Sequence, residues 1–320
     1  MPKVIVTRRW PESVETVLSE KFEVVLNVDD HAFSHAELAL AFESADALCA
    51  TVTDAISSDL FGPEARVKII ASFGVGFDHV DLESAREHGV AVTNTPDVLT
   101  DCTADLAMTL LLSCARRTAE GERELRRGDW TGWCPTHLVG SRVWGKTLAI
   151  VGMGRIGVAL ARRAHHGFGM RIVCFDLYDV APDILRELDA QQVASLDELL
   201  PMADFVSLHC PATADNHHLI NAARIGAMKR TAFLINTARG PIVDEQALCD
   251  ALTSQRIAGA GLDVYEAEPN VVPGLLKLDN VVLVPHLGSA TLETREAMGL
   301  RVVENLDRFF AGEHPPDLCT

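Results

Sequence analysis

Short, β-branched apolar runs alternate with helix-like segments along most of this chain, and this alternation limits the fold more than any other feature. The first such series has apolar runs at residues 4–6, 24–26, 47–50, 68–71 and 90–92. The second has them at 148–151, 172–175, 205–208, 233–235, 259–262 and 281–284. Parallel strands joined by helices produce this order, and strands covered on both faces are apolar throughout. We therefore predict an α/β protein with two doubly wound parallel sheets.

Helix signals separate the apolar runs. Ser34 and Glu37 have the spacing of a capping box, and Asp81 is placed to begin another short helix that a glycine ends. Longer helical patterns cover residues 100–117 and 291–310. The predicted alternation of strands and helices is thus supported by helix-capping residues as well as by the apolar runs.

Composition excludes several classes of partner. The formal net charge is −17 and the pI is near 5.1, so the chain would repel nucleic-acid phosphates and anionic lipid. At 320 residues and 48% hydrophobic, the chain is long enough for two cores. The first residues lack the apolar stretch of a signal peptide, and no later segment is apolar for the length that a bilayer requires. We therefore expect a cytoplasmic protein with no nucleic-acid or membrane partner.

The cysteines and histidines are not spaced as a disulfide framework or a metal site. Eight cysteines are scattered without a C-x-x-C pair, mostly in apolar surroundings, which favours reduced thiols. His31 with His35, and the adjacent histidine pairs at 165–166 and 217–218, have no third ligand that the sequence reveals. No metal is predicted, and these histidines are expected to be solvated.

A glycine-rich loop opens the second series. Its sequence is Gly152-Met153-Gly154-Arg155-Ile156-Gly157. In G-x-G-x-x-G, the first glycine makes a tight turn, the second lets the backbone approach a pyrophosphate, and the third lets helix and strand pack closely. The loop lies between an apolar run that ends at Val151 and a helical pattern that begins near Arg155. This context predicts a dinucleotide site.

An acidic residue in the next strand supports that prediction. Asp176 ends the run at 172–175 and comes 19 residues after Gly157, where a carboxylate can bind both hydroxyls of an adenosine ribose. The same carboxylate would repel the 2′-phosphate of NADP, and no arginine follows within residues 177–179. NAD is therefore favoured, and NADP is less suitable.

Three polar residues in the last third of the chain could act together. Arg239, Glu268 and His286 each follow an apolar, strand-like run. Open α/β sheets bind their ligands at the carboxyl ends of strands, so these side chains are expected at one edge of the second sheet. Their combination indicates an enzyme.

With these motifs the chain resembles the D-isomer-specific 2-hydroxyacid dehydrogenase family, and within it the glyoxylate/hydroxypyruvate reductases. The resemblance runs almost end to end through residues 74–81, 93–100, 152–157, 236–240, 261–264 and 285–291. It implies a flavodoxin-like substrate domain of residues 1–98 and 288–320, a Rossmann NAD-binding domain of residues 99–287, and a cleft between them that holds the active site. The implied reaction is the NAD(H)-dependent reduction of a small 2-keto acid to the D-2-hydroxy acid.

The chemistry of that reaction suits the three polar residues. The guanidinium of Arg239 can bind a carboxylate through two parallel hydrogen bonds and stays charged at any relevant pH. The backbone N–H groups of Val75 and Gly76 would bind the same carboxylate. His286 is the natural acid for the carbonyl oxygen, and Glu268 would orient it and keep it protonated.

The resemblance also implies further cofactor contacts, at Thr103, Cys210, Pro211, Thr237, Asp263 and Gly288. Asp263 would contact the nicotinamide carboxamide. Pro211 has no N–H and can offer only packing.

A homodimer is implied as well, with its contact built by the long helix and by an irregular segment at 129–144. The side chains involved would be the apolar ones of 106–112 with Trp130, Trp133 and Trp144. Related hydroxypyruvate reductases tend to carry tryptophan where this chain has His137. If His137 reaches the substrate pocket of a partner subunit, the accepted substrate would differ.

Other functions compete with this one. A catalytically idle NAD-sensing protein of the corepressor type is disfavoured because Arg239, Glu268 and His286 are all present. Alanine dehydrogenases and homocysteine-releasing hydrolases have a similar nucleotide domain but lack this arrangement. A reductase for a larger 2-keto acid, such as 2-ketogluconate, remains open.

Overall fold

A computed structural model describes all 320 residues, and its regular elements are twelve β-strands and eleven α-helices. The strands are β1 (Lys3–Val6), β2 (Glu23–Val25), β3 (Ala47–Ala50), β4 (Ile69–Ser72), β5 (Ala91–Thr93), β6 (Thr147–Val151), β7 (Arg171–Phe175), β8 (Gln191–Gln192), β9 (Phe205–Leu208), β10 (Phe233–Asn236), β11 (Gly259–Leu262) and β12 (Val281–Leu283). The helices are α1 (Glu12–Lys21), α2 (His35–Ser44), α3 (Leu82–Glu87), α4 (Thr100–Arg116), α5 (Thr118–Arg127), α6 (Arg155–Arg162), α7 (Pro182–Glu187), α8 (Leu196–Leu199), α9 (Ala222–Ala227), α10 (Glu245–Thr253) and α11 (Leu292–Phe310).

The chain divides into two compact units. The first contains residues 1–99 and 289–320, and the second contains residues 100–288. Each unit has its own parallel sheet, so the predicted fold class of two doubly wound α/β sheets is confirmed.

The first unit is built on a five-stranded parallel sheet with the order β2-β1-β3-β4-β5. Its core includes Phe42 and Phe61, whose rings meet edge to face with their centroids 5.3 Å apart. The capping box predicted at Ser34 and Glu37 is present and begins α2. Helix α11 belongs to this unit, although it follows the second unit in sequence, and it packs on α1 and β4.

The second unit is built on a seven-stranded sheet with the order β12-β11-β10-β9-β6-β7-β8, in which all pairs are parallel. Successive side chains of β6 enter two different cores: Ala149 and Val151 lie in one, Leu148 and Ile150 in the other. Because the strands are covered on both faces, they read as continuous apolar runs in the sequence. The order of strands reverses between β6 and β9, where doubly wound sheets bind their ligands.

Two elements escaped the sequence analysis. Strand β8 is only two glutamines long at the edge of the sheet, so it carries no apolar signal. Helix α5 has no buried residue, so it shows no apolar stripe to predict a helix from. The other strands were predicted to within two residues at either end. None of the helices has both the length and the apolar character needed to span a bilayer.

Candidate active site

The loops that follow the strands of the second unit contain most of the residues predicted to be functional. Because these strands are all parallel, their carboxyl ends share one edge of the sheet. The predicted residues follow the strands in this way: Gly152 after β6, Asp176 after β7, Cys210 and Pro211 after β9, Thr237 and Arg239 after β10, Asp263 and Glu268 after β11, and His286 and Gly288 after β12. Strands β10, β11 and β12 are neighbours, so the loops that bear Arg239, Glu268 and His286 are neighbours too.

His286 and Glu268 are in direct contact. Nδ1 of the histidine lies 2.9 Å from Oε2 of the glutamate, and both side chains are about one-third exposed, at 32% and 33%. The other carboxylate oxygen, Oε1, accepts a hydrogen bond of 3.0 Å from the Tyr265 N–H. The contact with Glu268 occupies Nδ1, which leaves Nε2 as the ring nitrogen that can serve a substrate.

The contact with His286 also determines the charge of Glu268. Partial burial acts to raise the pKa of Glu268, but the hydrogen bond and the charge of His286 act against it, aided by the Tyr265 N–H and the charge of Arg239. The pKa of Glu268 is therefore below its ordinary value.

The turn that carries His286 is held by Asp263, which is fully buried. The Asp263 carboxylate accepts hydrogen bonds from the Leu287 and Gly288 N–H groups, the latter at 2.9 Å. The Gly288 carbonyl in turn accepts the hydroxyl of Thr103 at 3.1 Å. Burial raises the pKa of Asp263, against the opposing effect of these two N–H groups and of His286. The backbone of His286 has a φ of 53°, a left-handed conformation that is uncommon in residues other than glycine.

Arg239 lies in a tightly packed turn after β10. Asn236 closes this turn, because its amide donates to the Arg239 carbonyl at 2.9 Å and its side-chain oxygen accepts from the Ala238 N–H at 3.0 Å. Gly240 lies against the backbone of Tyr265, where an added Cβ would be 1.9 Å from the Tyr265 carbonyl carbon. Only glycine fits there, so the loops of Arg239 and Glu268 are packed together.

The glycine-rich loop has the geometry that its sequence predicts. Gly152 has a φ of 96°, and an added Cβ would be 2.7 Å from the Cys210 backbone nitrogen. A Cβ on Gly157 would be 2.2 Å from the Gly152 carbonyl oxygen. By contrast, a Cβ on Gly154 would meet nothing within 4 Å, so this side of the loop is open. Arg155 is the first residue of α6, whose N-terminus follows the open glycine.

Asp176 lies beside this loop. Its Oδ2 accepts a hydrogen bond of 2.7 Å from the Met153 N–H, and its Oδ1 accepts one of 3.1 Å from the Tyr178 N–H.

The hydroxyl oxygen of Thr237, after β10, is buried and has no hydrogen-bond partner in the protein. An open glycine loop, an adjacent carboxylate and an unpartnered hydroxyl fit a dinucleotide with its pyrophosphate on the loop and its ribose at Asp176.

The remaining predicted positions are less distinctive. Burial raises the pKa of the Cys210 thiol to about 11, so it is uncharged. The Pro211 carbonyl accepts a hydrogen bond from the Asn216 amide. Ile156 is half-buried and packs against the core behind the glycine loop. In the first unit, Val75 and Gly76 follow β4 in a half-buried loop, where the Val75 carbonyl accepts the Asn94 amide at 2.8 Å.

The sequence analysis missed Glu245, the first residue of α10, which is only 3% exposed. Its carboxylate accepts hydrogen bonds from the Glu266 N–H and from the backbone of Val272. These bonds secure both sides of the loop that carries Glu268. Burial raises the pKa of Glu245, and the charges of Glu266 and Glu268 add to this effect. In sequence Glu245 looks like an ordinary acidic residue in the first turn of a helix.

His217 and His218 have a third potential ligand that the sequence does not reveal, Glu266. Nε2 of His218 lies 2.6 Å from Oε1 of Glu266, and Nε2 of His217 lies 3.8 Å from the same oxygen. The carboxylate comes from a loop 48 residues further along the chain, so no local spacing could reveal it.

His137 is also held within the chain. Its Nε2 lies 2.9 Å from Oε2 of Glu124 on α5, in a part-exposed pair.

Comparisons with known proteins agree with this geometry. Residues 108–288 match the family model described as "D-isomer specific 2-hydroxyacid dehydrogenase, NAD binding domain". A glyoxylate reductase from Thermococcus onnurineus is 46% identical over 321 residues, covering 99% of this chain and 95% of the relative. A solved structure from Thermus thermophilus has 45% identity and a TM-score of 0.91, with 99% of this chain and all of that one covered. An NADPH-dependent glyoxylate/hydroxypyruvate reductase from Sinorhizobium meliloti was solved with NADP and malonate. It has 35% identity and a TM-score of 0.88, and the match covers 100% of this chain and 97% of that one.

Proposed function

Because the chain belongs to the D-isomer specific 2-hydroxyacid dehydrogenase family, we propose that it reduces small 2-keto acids, glyoxylate and hydroxypyruvate foremost, to D-2-hydroxy acids with NADH. The observation that carries the proposal is the contact between His286 and Glu268 in a loop that neighbours that of Arg239. This arrangement offers a proton donor and a carboxylate-binding cation at one edge of a sheet. The relatives named as glyoxylate reductases support the substrate class.

Each residue has a distinct task in the proposed reaction. Arg239 binds the substrate carboxylate through its guanidinium. NADH, when bound, supplies the hydride that adds to the carbonyl carbon. His286 donates a proton from Nε2 to the carbonyl oxygen, so that the keto group gains one hydride and one proton and becomes a hydroxyl group. Glu268 holds the ring through Nδ1 and stabilises the imidazolium before the proton is transferred.

The two units would divide this work. We propose that residues 99–287 bind NAD and that residues 1–98 with 288–320 bind substrate, close to the limits of the two compact units. In the first unit, the Val75 and Gly76 N–H groups would bind the substrate carboxylate together with Arg239.

The cofactor is proposed to be NADH rather than NADPH. Asp176 lies beside the glycine loop, and its negative charge would repel a 2′-phosphate. The Sinorhizobium relative is described as NADPH-dependent, so we propose that the two proteins differ in cofactor preference.

We also propose that the chain forms a homodimer through the long helix α4 and the segment 129–144. Trp130 and Trp133 are 50% and 81% exposed, so this segment presents large apolar side chains to solvent. The apolar side chains expected at 106–112 lie instead in the core of the second unit or pack against it, because that face of α4 covers the sheet. Sedimentation analysis should give twice the mass of 34.7 kDa, and Trp133→Ser should shift the protein towards the monomer. A wild-type monomer at micromolar concentration would contradict this proposal.

Steady-state oxidation of NADH tests the function. Glyoxylate and hydroxypyruvate should both support turnover, and hydroxypyruvate should yield D-glycerate on chiral analysis. Pyruvate, phenylpyruvate and 2-ketogluconate serve as larger or differently substituted competitors. NADH binding without turnover on any of them would favour a catalytically idle NAD-sensing protein instead, and turnover on 2-ketogluconate alone would favour a reductase of larger substrates.

A further inference from the structure

The cluster of His217, His218 and Glu266 has the chemistry of a metal site. We propose that these side chains bind one divalent transition-metal ion, such as Zn²⁺, on the surface of the second unit. Their ligand atoms all lie within 4.8 Å of one another. The two imidazole rings are stacked, with centroids 3.9 Å apart and an interplanar angle of 28°. Nε2 of each ring lies near the same carboxylate oxygen of Glu266. None of the three residues takes part in the proposed reduction.

The distances are close to those that a bound ion requires. Zn²⁺ binds imidazole nitrogen and carboxylate oxygen at about 2.0–2.2 Å, so ligand atoms around a tetrahedral ion lie roughly 3.3 Å apart. Nε2 of His218 and Nε2 of His217 are 2.6 and 3.8 Å from Oε1 of Glu266. Both distances differ from this spacing by less than an ångström. A hydrogen bond between Nε2 of His218 and Glu266 would be replaced by two bonds to the metal.

The backbone around the cluster is already fixed. The His218 N–H donates to the Pro241 carbonyl at 2.8 Å, and the Glu266 N–H donates to the buried Glu245 carboxylate. His218 has a φ of 51°, a left-handed conformation that is uncommon in residues other than glycine. The ligands therefore need little backbone ordering to bind, which reduces the entropic cost of forming the site.

The cluster is also accessible. The side chains of His217, His218 and Glu266 are 55%, 34% and 32% exposed, so an ion can enter from solvent and keep water as its fourth ligand. Imidazole and carboxylate donors suit Zn²⁺, Cu²⁺ and Ni²⁺ better than Mg²⁺ or Ca²⁺, which prefer oxygen ligands.

A second pair of adjacent histidines provides a matched control. His165 and His166 are also exposed or half-buried, but their rings meet edge to face with centroids 4.9 Å apart. Glu187 lies 3.8 Å from His166, and its carboxylate is already bound by Arg162. This pair has the same sequence pattern, but its neighbouring carboxylate is paired with an arginine.

Binding should stabilise the folded chain. An ion that binds the native state more tightly than the unfolded state raises the melting temperature in proportion to the logarithm of its free concentration. It would also tie the segment of His217 and His218 to the loop of Glu266. Because the ligands must lose their protons, binding should weaken at acidic pH.

The test is a Zn²⁺ titration of the full chain after treatment with a chelator, followed by competition with a chromogenic zinc indicator. All variants carry Cys134→Ser, because Cys134 is exposed and a hydrogen bond from Thr136 lowers its thiol pKa, which makes it a competing ligand. We expect one equivalent of Zn²⁺ to bind and the melting temperature to rise. Mg²⁺ at the same concentration should have no such effect.

Variants locate the ion. His218→Asn keeps a residue that tolerates the left-handed backbone, and it should weaken Zn²⁺ binding at least tenfold, as should Glu266→Gln and His217→Ala. His165→Gln should bind Zn²⁺ as the background protein does. Melting temperatures without metal establish that each variant is folded. Equal Zn²⁺ affinity in the background protein and in His218→Asn and Glu266→Gln would overturn the proposal, and so would an equal loss in His165→Gln.

Discussion

Nδ1 of His286 lies 2.9 Å from Oε2 of Glu268, and this contact orients the proposed acid. The carboxylate occupies one ring nitrogen, and Asp263 binds the N–H groups of the two residues that follow the histidine. The ring and its backbone turn are thus held separately. Nε2 is the nitrogen from which a proton can pass to substrate, because Nδ1 is already bonded.

The first prediction concerns the charge of Glu268. During keto-acid reduction, kcat/KM should fall at alkaline pH as His286 loses the proton that it donates. Glu268→Gln keeps the size and a hydrogen-bonding group but removes the charge that stabilises the imidazolium. The alkaline limb of the kcat/KM profile should therefore move to lower pH, while activity at acidic pH largely survives.

His286→Ala provides the comparison for this experiment and should remove the limb together with most of the turnover. The reverse oxidation should prefer higher pH, where His286 acts as a base. In the wild type the lowered pKa of Glu268 means that its carboxylate is fully charged above the ordinary glutamate pKa, and that the stabilisation this charge contributes is lost as pH falls through the lowered value. An unchanged profile in the glutamine variant would leave Glu268 with a positional role only.

The second prediction concerns Arg239. Arg239→Ala should leave the substrate carboxylate without its cation and cost about 3 kcal/mol of transition-state binding, or about two orders of magnitude in kcat/KM. Arg239→Lys should restore only part of this, because an ammonium cannot form two parallel hydrogen bonds to a carboxylate.

The dissociation constant for NADH, measured by fluorescence titration, should change little in these variants. The exposed Arg230 gives a control, and Arg230→Ala should leave kcat/KM unchanged. Weak NADH binding with unaltered keto-acid kinetics in Arg239→Ala would remove this residue from the substrate site.

The third prediction concerns cofactor choice. Asp176→Ser combined with Leu177→Arg removes the carboxylate beside the glycine loop and adds a cation at an 85% exposed position. The ratio of kcat/KM for NADPH to that for NADH should rise, because the 2′-phosphate is no longer repelled and gains a partner. A wild-type protein that uses both cofactors equally would show that Asp176 does not set the preference.

The fourth prediction concerns Glu245 and stability. Burial raises the pKa of this carboxyl group, so the folded chain binds the proton more tightly than the unfolded chain does. The resulting stabilisation is complete below the ordinary glutamate pKa and is lost as pH rises through the raised folded value. Glu245→Gln has no proton to lose, so its melting temperature relative to wild type should improve as pH rises through this window.

Thermal unfolding at a series of pH values measures this difference, with the exposed Glu12→Gln as the control that should show none. A constant difference across the pH series for Glu245→Gln would contradict a raised pKa at Glu245. The kcat/KM of the same variant would report whether the loop that carries Glu268 depends on the hydrogen bonds that the Glu245 carboxylate accepts.

The sequence by itself determined the sheets and the strand ends from which the candidate residues project. Continuous apolar runs such as 205–208 and 259–262 mark strands buried on both faces, and parallel strands place their carboxyl ends together. The close approach of Gly157 to the Gly152 carbonyl lies within one strand–turn–helix unit, so the glycine spacing records it. These features depend on neighbours in sequence, so a periodic pattern records them.

Contacts between distant loops were decided only by the tertiary structure. Glu266 reaches His218 across 48 residues, and Glu245 receives the Glu266 N–H across 21. Asp263 binds the turn after His286 across 24 residues, and Gly240 allows the loop of Arg239 to pack against that of Glu268. Which side chain meets which depends on how neighbouring loops pack beyond the strand ends. The sequence pattern records only that these side chains are polar and follow a strand or begin a helix.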